Sequence, residues 1–184
     1  MLDLILAKAW SDLSIPVGGI PNPFRLMQLA TVNTEGQPKV STVVLRHADA
    51  STKSIIFYVD KRSAKLAEIL AEPRVGITSV DPSGKRQLRV EGLGELLSDV
   101  SLLARHWEQA RGRTQALFRH GRIPGEAISS PSTAYETHMD GFKNFALLAV
   151  HLRQIEWLDL TQDIHQRARF ILQGDHWQAG WIAP

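Results

Sequence analysis

The chain has 184 residues, with 21 Lys and Arg against 19 Asp and Glu, and no cysteine. That length suits one domain over residues 1–184 with a core that needs no staples. Absence of cysteine excludes disulfides, thiolate zinc sites and cysteine nucleophiles. Acids and bases are interspersed, which argues against a nucleic-acid partner.

The apolar stretch at residues 2–10 carries Asp3 and Lys8. It is too short to span a bilayer and lacks the basic leader of a signal peptide. It reads as an N-terminal amphipathic helix packed on the body, and the protein as cytoplasmic, with no membrane partner. A Pro- and Gly-rich connector, residues 15–23, follows. Strands are predicted at 25–32, 39–46 and 54–59, separated by polar turns at 33–38 and 48–51. Residues 63–71 fit a short helix with Leu66, Ile69 and Leu70 on one face, Ser63 as N-cap and Pro73 as its stop.

Strands at 74–80 and 86–97 flank the hairpin signal Asp81, Pro82, Ser83, Gly84, Lys85. Gly92 and Gly94 mark a bend or bulge in the second of them. A helix is expected over 98–110, a basic turn-rich stretch over 112–126 and a short helix over 132–139. Strands at 146–158, 167–172 and 176–182 complete the chain. Hairpin-linked strands with a few short helices predict a mainly β (α+β) fold, a barrel or sandwich rather than a parallel sheet.

Many chemistries are missing. There is no P-loop, no G-x-S-x-G elbow and no H-E-x-x-H, and the histidines lack ligand spacing, so no metal site is expected. What stands out is a pair of basic segments. Thr42, Val43, Val44 and Leu45 lead into Arg46 at the end of a predicted strand. Asp60, Lys61, Arg62, Ser63, Ala64 and Lys65 form a strand-to-helix turn. Free N–H groups and the positive dipole end at a helix start favour anions, so the two segments read as a phosphate cradle. Taken singly, Ser63 is an ordinary cap, Tyr58 ordinary strand filler, and Val43 and Val44 ordinary core residues. An enzyme with no evident nucleophile can take its chemistry from a bound cofactor.

In the order and spacing of these segments, from about residue 24 to 184, the chain resembles the pyridoxamine 5′-phosphate oxidase-like flavoproteins, in the branch with the D-x-R-S-x-K turn. The resemblance implies a Greek-key split β-barrel that binds FMN between two subunits of a homodimer. It places Arg46 and Lys65 on the FMN phosphate with Ser63 donating to it, and the backbone of Thr42, Val43 and Val44 along the ring edge. Tyr58 and Val59 would flank the ribityl chain, Gln87 would bond the pyrimidine end, and Arg169 would reach in from the partner subunit. A small-molecule substrate would meet Trp107, Arg111 and Arg167.

Several positions depart from the family pattern. Ser41 and Ala64 stand where two phosphate-binding arginines are usual, leaving Lys61 or Arg62 to compensate. His165 and Arg167 reverse the usual R-x-H pair, and Trp181 replaces the arginine of an R-L-A-P ending. The resemblance implies an FMN-dependent oxidoreductase that moves a hydride from substrate to flavin. A flavin- or deazaflavin-dependent reductase and a non-catalytic flavin-binding protein remain the alternatives.

Overall fold

The computed structural model describes residues 1–16, 21–135 and 139–184. Eight antiparallel strands carry the fold: β1 (Leu26–Val32), β2 (Pro38–Asp49), β3 (Ser54–Asp60), β4 (Arg74–Val80), β5 (Arg86–Leu97), β6 (Phe145–Asp159), β7 (Gln166–Gln173) and β8 (His176–Trp181). Their order is β3-β2-β1-β4-β5-β6-β7-β8, and β3 also pairs with β6. Six strands therefore close a barrel, and β7 and β8 extend the sheet beyond β6. Strand β4 returns beside β1 rather than β3, which makes β4-β1-β2-β3 a Greek key. The expected barrel is the one observed.

Local chemistry sets the turns. The Asp81 carboxylate accepts from Ser83 Oγ and from the backbone N–H of Lys85 and Arg86, while Gly84 takes the left-handed conformation that closes the β4–β5 hairpin. The pairing of β5 with β6 shifts register between Glu91 and Gly92. A Cβ on Gly92 would lie 2.4 Å from the His151 carbonyl oxygen, so only glycine allows the close approach at this bulge.

Strand β2 differs from expectation. It continues past Arg46 to Asp49, and its register against β3 slips between Leu45 and His47. Arg46 is thus the extra residue of a bulge and not a strand terminus. Bulges bend a strand and re-aim a side chain, a device that period-2 reading does not foresee.

Helix α1 (Leu2–Leu13) packs across β2, β7 and β8. Helix α2 (Ala64–Ala71) lies against β1 and β5. Helix α3 (Val100–Gln109) begins at Asp99, whose carboxylate accepts from the Leu102 N–H. The basic stretch contains a short helix, α4 (Arg113–Ala116), and a 3₁₀ turn covers Pro131–Tyr135. The rest of the helix expected over 132–139 includes residues outside the described ones, as does part of the 15–23 connector. A four-residue helix that the sequence reading missed, α5 (Gly141–Asn144), is capped by Asp140.

The barrel interior is filled by side chains such as Met27, Leu29, Phe57, Leu88 and Leu148, and Phe170 of β7 joins the same apolar cluster; all are at most 1% exposed. A second apolar cluster sits outside the barrel on the β3–β6 seam, where Ile56, Phe145, Leu147 and Ala149 meet Leu103 of α3 and Phe118. The seam is therefore buried on both faces, which accounts for the unbroken apolar run at the start of β6. Burying Phe145 and Leu147 fully stabilises the α3 contact by roughly 1.5–3 kcal/mol each. That contact fixes α3 beside β2 and β3.

Candidate functional site

A cleft of about 840 Å³ opens where the end of α1, the bulged part of β2, Tyr58 of β3 and the end of α3 converge. Four guanidinium groups line it, those of Arg25, Arg46, Arg105 and Arg111, with His47 beside them and, among the described residues, Glu108 as its single carboxylate. Among the described residues, none of the four arginines forms a carboxylate ion pair. Thr114 and Asn22 add neutral polar groups.

The bulge turns Arg46 over the ring of Tyr58, with its guanidinium carbon 5.0 Å from the ring centre. Its Nε is buried and has no hydrogen-bond partner among the described residues. Burial pulls the Arg46 pKa below its ordinary value; Tyr58 opposes this and the charge of Arg25 adds to it. An arginine keeps its charge nonetheless. The Tyr58 hydroxyl lies 3.0 Å from His106 Nδ1, and its ring meets Phe145 edge-on at 4.9 Å. Burial raises the Tyr58 phenol pKa, against the pull of Arg46. Burial lowers that of His106, helped by His47 and Arg105. With the phenol protonated and the imidazole neutral, the Nε2–H tautomer of His106 is the one in which Tyr58 donates and Nδ1 accepts.

The remaining candidates are spread over several places. The side chains of Val43 and Val59 point into the barrel core, so only their backbones are available to a ligand. Thr42 and Val44 alternate with Val43 and face outward, and Thr42 Oγ1 donates to Gln28. Trp107 packs with Phe118, Phe142 and Phe145 in the second apolar cluster and does not line the cleft. Arg111 does line it.

The turn before α2 is built differently from expectation. Ser63 holds the N-cap position, yet its hydroxyl donates to the Asp60 carbonyl at 2.7 Å and caps nothing. Its one proton is therefore already committed. Arg62 folds back on the Asp60 carboxylate through Nε at 3.0 Å and a terminal nitrogen at 2.7 Å. That leaves Lys61 and Lys65, and not Arg62, as the turn's available cations. Neither Ser63 nor Lys65 lines the cleft, so Arg46 and Lys65 do not share one pocket.

Gln87 borders a second, smaller cavity of about 410 Å³ on the outer face of β1, β4, β5 and β6. Its amide donates to Thr78 Oγ1. Glu156, on the rim of the same cavity, is only 6% exposed. It accepts from Arg167 at 2.7 Å and from Arg169 Nε at 2.9 Å, with Arg89 at 3.8 Å. Burial pushes the Glu156 carboxyl up, but the hydrogen bonds from Arg167 and Arg169 outweigh it and hold the group below the usual range. Both candidate arginines of β7 are thus anchored within their own chain.

A model of the family described as pyridoxamine 5′-phosphate oxidase matches residues 20–154. The chain belongs to the pyridoxamine 5′-phosphate oxidase family. It is similar to the pyridoxine/pyridoxamine 5′-phosphate oxidase of Microcystis aeruginosa, at 30% identity over 98% of this chain and 87% of that protein. Its fold is shared with a pyridoxamine 5′-phosphate oxidase-related, FMN-binding protein of Nostoc punctiforme, with a TM-score of 0.79, 24% identity and coverage of 98% and 96% of the two chains. It is shared also with PhzG of Burkholderia lata, solved with tetrahydrophenazine-1-carboxylic acid, with a TM-score of 0.77, 15% identity and coverage of 99% and 92%.

Within this member of the pyridoxamine 5′-phosphate oxidase family, Arg25, His47, Arg105, His106 and Glu156 were not singled out as site residues from sequence. Arg25 precedes β1 and Arg105 sits on the exposed face of α3, so each looks like solvated surface until α3 is docked. His106 reads as part of the helix's apolar stripe. Glu156 lies in a strand of apolar neighbours, and its only signal is a buried-strand position occupied by an acid.

Proposed function

We propose that this chain is an FMN-binding oxidoreductase acting on a small anionic substrate, with the cofactor enclosed between two copies of the chain. The observation that carries the reading is the cationic cleft beside β2, where four arginines face one carboxylate in a family of flavin-type oxidases. The polar atoms fit such a ligand. Ser41 Oγ and Arg46 Nε, both on β2, are buried without partners among the described residues, and buried polar groups normally find one.

On this reading, the outward backbone of Thr42 and Val44 borders the ring of FMN, and Lys65 at the start of α2 takes its phosphate. Arg46 shares its cleft with Arg111, so we assign both to the anionic group of the substrate and not to the cofactor. FMN, when bound, supplies the hydride acceptor and passes electrons onward. The protein's part is orientation: Arg46 and Arg111 hold the anionic end, Thr114 and Asn22 add neutral hydrogen bonds, and α3 limits water. Such positioning supplies much of a barrier reduction when the reacting atoms are held close. The Arg169 side chain is 41% exposed even while its Nε is held by Glu156, and on this reading it is the group that faces the second copy.

The test is a visible spectrum of the purified protein with and without added FMN, followed by oxygen consumption with pyridoxamine 5′-phosphate. Stoichiometric FMN that is released by heat, with weaker retention in Lys65→Ala, supports the cofactor assignment. A raised KM with unchanged FMN content in Arg46→Ala supports the division of labour. A colourless protein that neither shifts nor quenches FMN overturns the reading.

A further inference from the structure

We infer that His106 is a positioning residue that acts through Tyr58 to hold Arg46 at the mouth of the anion cleft, a step that rests on the cleft reading above. Arg46 needs such support. Its long side chain has many rotamers, and among the described residues no carboxylate or carbonyl fixes it, since its Nε is buried and unpartnered. What holds the guanidinium is the face of the Tyr58 ring, 5.0 Å below it.

Tyr58 in turn is held on two sides. Its ring packs edge-on against Phe145 and His106, at 4.9 Å and 5.6 Å between centres, and its hydroxyl bonds His106 Nδ1 at 3.0 Å. Among the described residues the phenol has no other hydrogen-bond partner. The result is a stack running from α3 through β3 to the bulge of β2. His106 does not line the cleft, whereas Arg46 and Tyr58 do. The cleft's anion affinity therefore depends on a residue that the anion does not touch.

The same helix supplies Arg105 and Glu108 to the cleft wall, so a purely structural role for His106 has a clear alternative form: it docks α3, and its loss costs stability alone. Asparagine separates the two. Its Oδ1 can occupy the position of Nδ1 and accept from the Tyr58 hydroxyl, but it cannot fill the ring's volume against Tyr58 and His47.

The experiment titrates sulfate, a dianion at all working pH values, into the full chain by calorimetry, with thermal melting of each variant alongside. His106→Ala and Tyr58→Phe are expected to weaken sulfate by about tenfold each, a change typical of a misplaced charge-assisted bond. His106→Asn is expected to stay within about twofold of the parent despite a lowered melting temperature, and the His106→Ala/Tyr58→Phe double variant to be no weaker than either single one, as coupled neighbours require. The positioning role is overturned if Arg46→Ala weakens sulfate while His106→Ala does not, or if His106→Asn is as weak as His106→Ala. If sulfate binds the parent no better than Arg46→Ala, the cleft reading falls and takes the positioning role with it. FMN spectra of the same variants report separately on the cofactor assignment.

Discussion

Two groups of arginines in this chain have opposite fates. Around Glu156, Arg89, Arg167 and Arg169 converge on one carboxylate that is 6% exposed. Around the cleft, Arg25, Arg46, Arg105 and Arg111 converge on a space where, among the described residues, Glu108 is the only acid and none of the four makes a carboxylate ion pair. Like charges gathered without a counter-ion cost stability, so the second arrangement persists only where something other than folding favours it. The first group ties β7 to β5 and β6, and the second is free to meet an anion. Residue type alone does not separate structural from functional arginines; the location of the nearest carboxylate does.

The sharpest way to break this comparison is to remove the carboxylate. Glu156→Gln leaves three guanidiniums around a neutral amide, and loss of one partner from a buried pair typically costs about 3–5 kcal/mol. We expect a loss near the lower figure by urea denaturation, because the arginines are partly solvated. A Glu156→Gln protein as stable as the parent would show that the cluster is not structural.

The matching change in the cleft has its effect elsewhere. Arg46→Ala removes a half-buried charge whose Nε has no partner, so folding stability is expected to change by less than about 0.5 kcal/mol or to rise. Anion affinity should fall by about tenfold to a hundredfold, the worth of a charge-assisted bond. Equal stability losses in Arg46→Ala and Glu156→Gln would erase the distinction between the two groups.

The sequence carried the barrel well, because β-branched runs, turn residues and Gly92 are local signals that agree with one another. The hairpin at Asp81 to Arg86 and the bulge at Gly92 were both legible in this way. Arg46 was expected to hold the FMN phosphate and in the structure lines the cleft, but its bulge was not foreseen, since a one-residue register slip between β2 and β3 leaves no mark in composition. Ser63 was read correctly as an N-cap position and wrongly as a capping side chain, because its competing bond to the Asp60 carbonyl depends on turn geometry. The cleft itself was invisible. It joins residues from α1, β2, β3 and α3 that are far apart in the chain, and it exists only once α3 docks on Phe145 and Leu147. The family resemblance placed Trp107 at the substrate, whereas helical spacing turns it to the aromatic cluster and away from the cleft.

Acid titration sharpens the comparison with a smaller effect. The Glu156 carboxyl is held below the usual carboxylate range in the fold, so its contribution is fully present above the unfolded value and is lost as pH falls through the folded one. His106 acts earlier. Its folded pKa lies below the ordinary 6.5, because of burial first and then of His47 and Arg105. Between those two values the unfolded chain binds a proton that the folded chain does not, so stability is complete above 6.5 and declines as pH drops toward the folded value. Melting curves recorded across this range should therefore show two separate losses, the first from His106 behind the cleft and the second from the Glu156 cluster. His106→Asn should abolish the first and leave the second, and Glu156→Gln the reverse. If His106→Asn leaves the first loss intact, the imidazole is not buried against Tyr58 as a neutral acceptor, and the hydrogen bond that ties α3 to Arg46 is not the one that holds it.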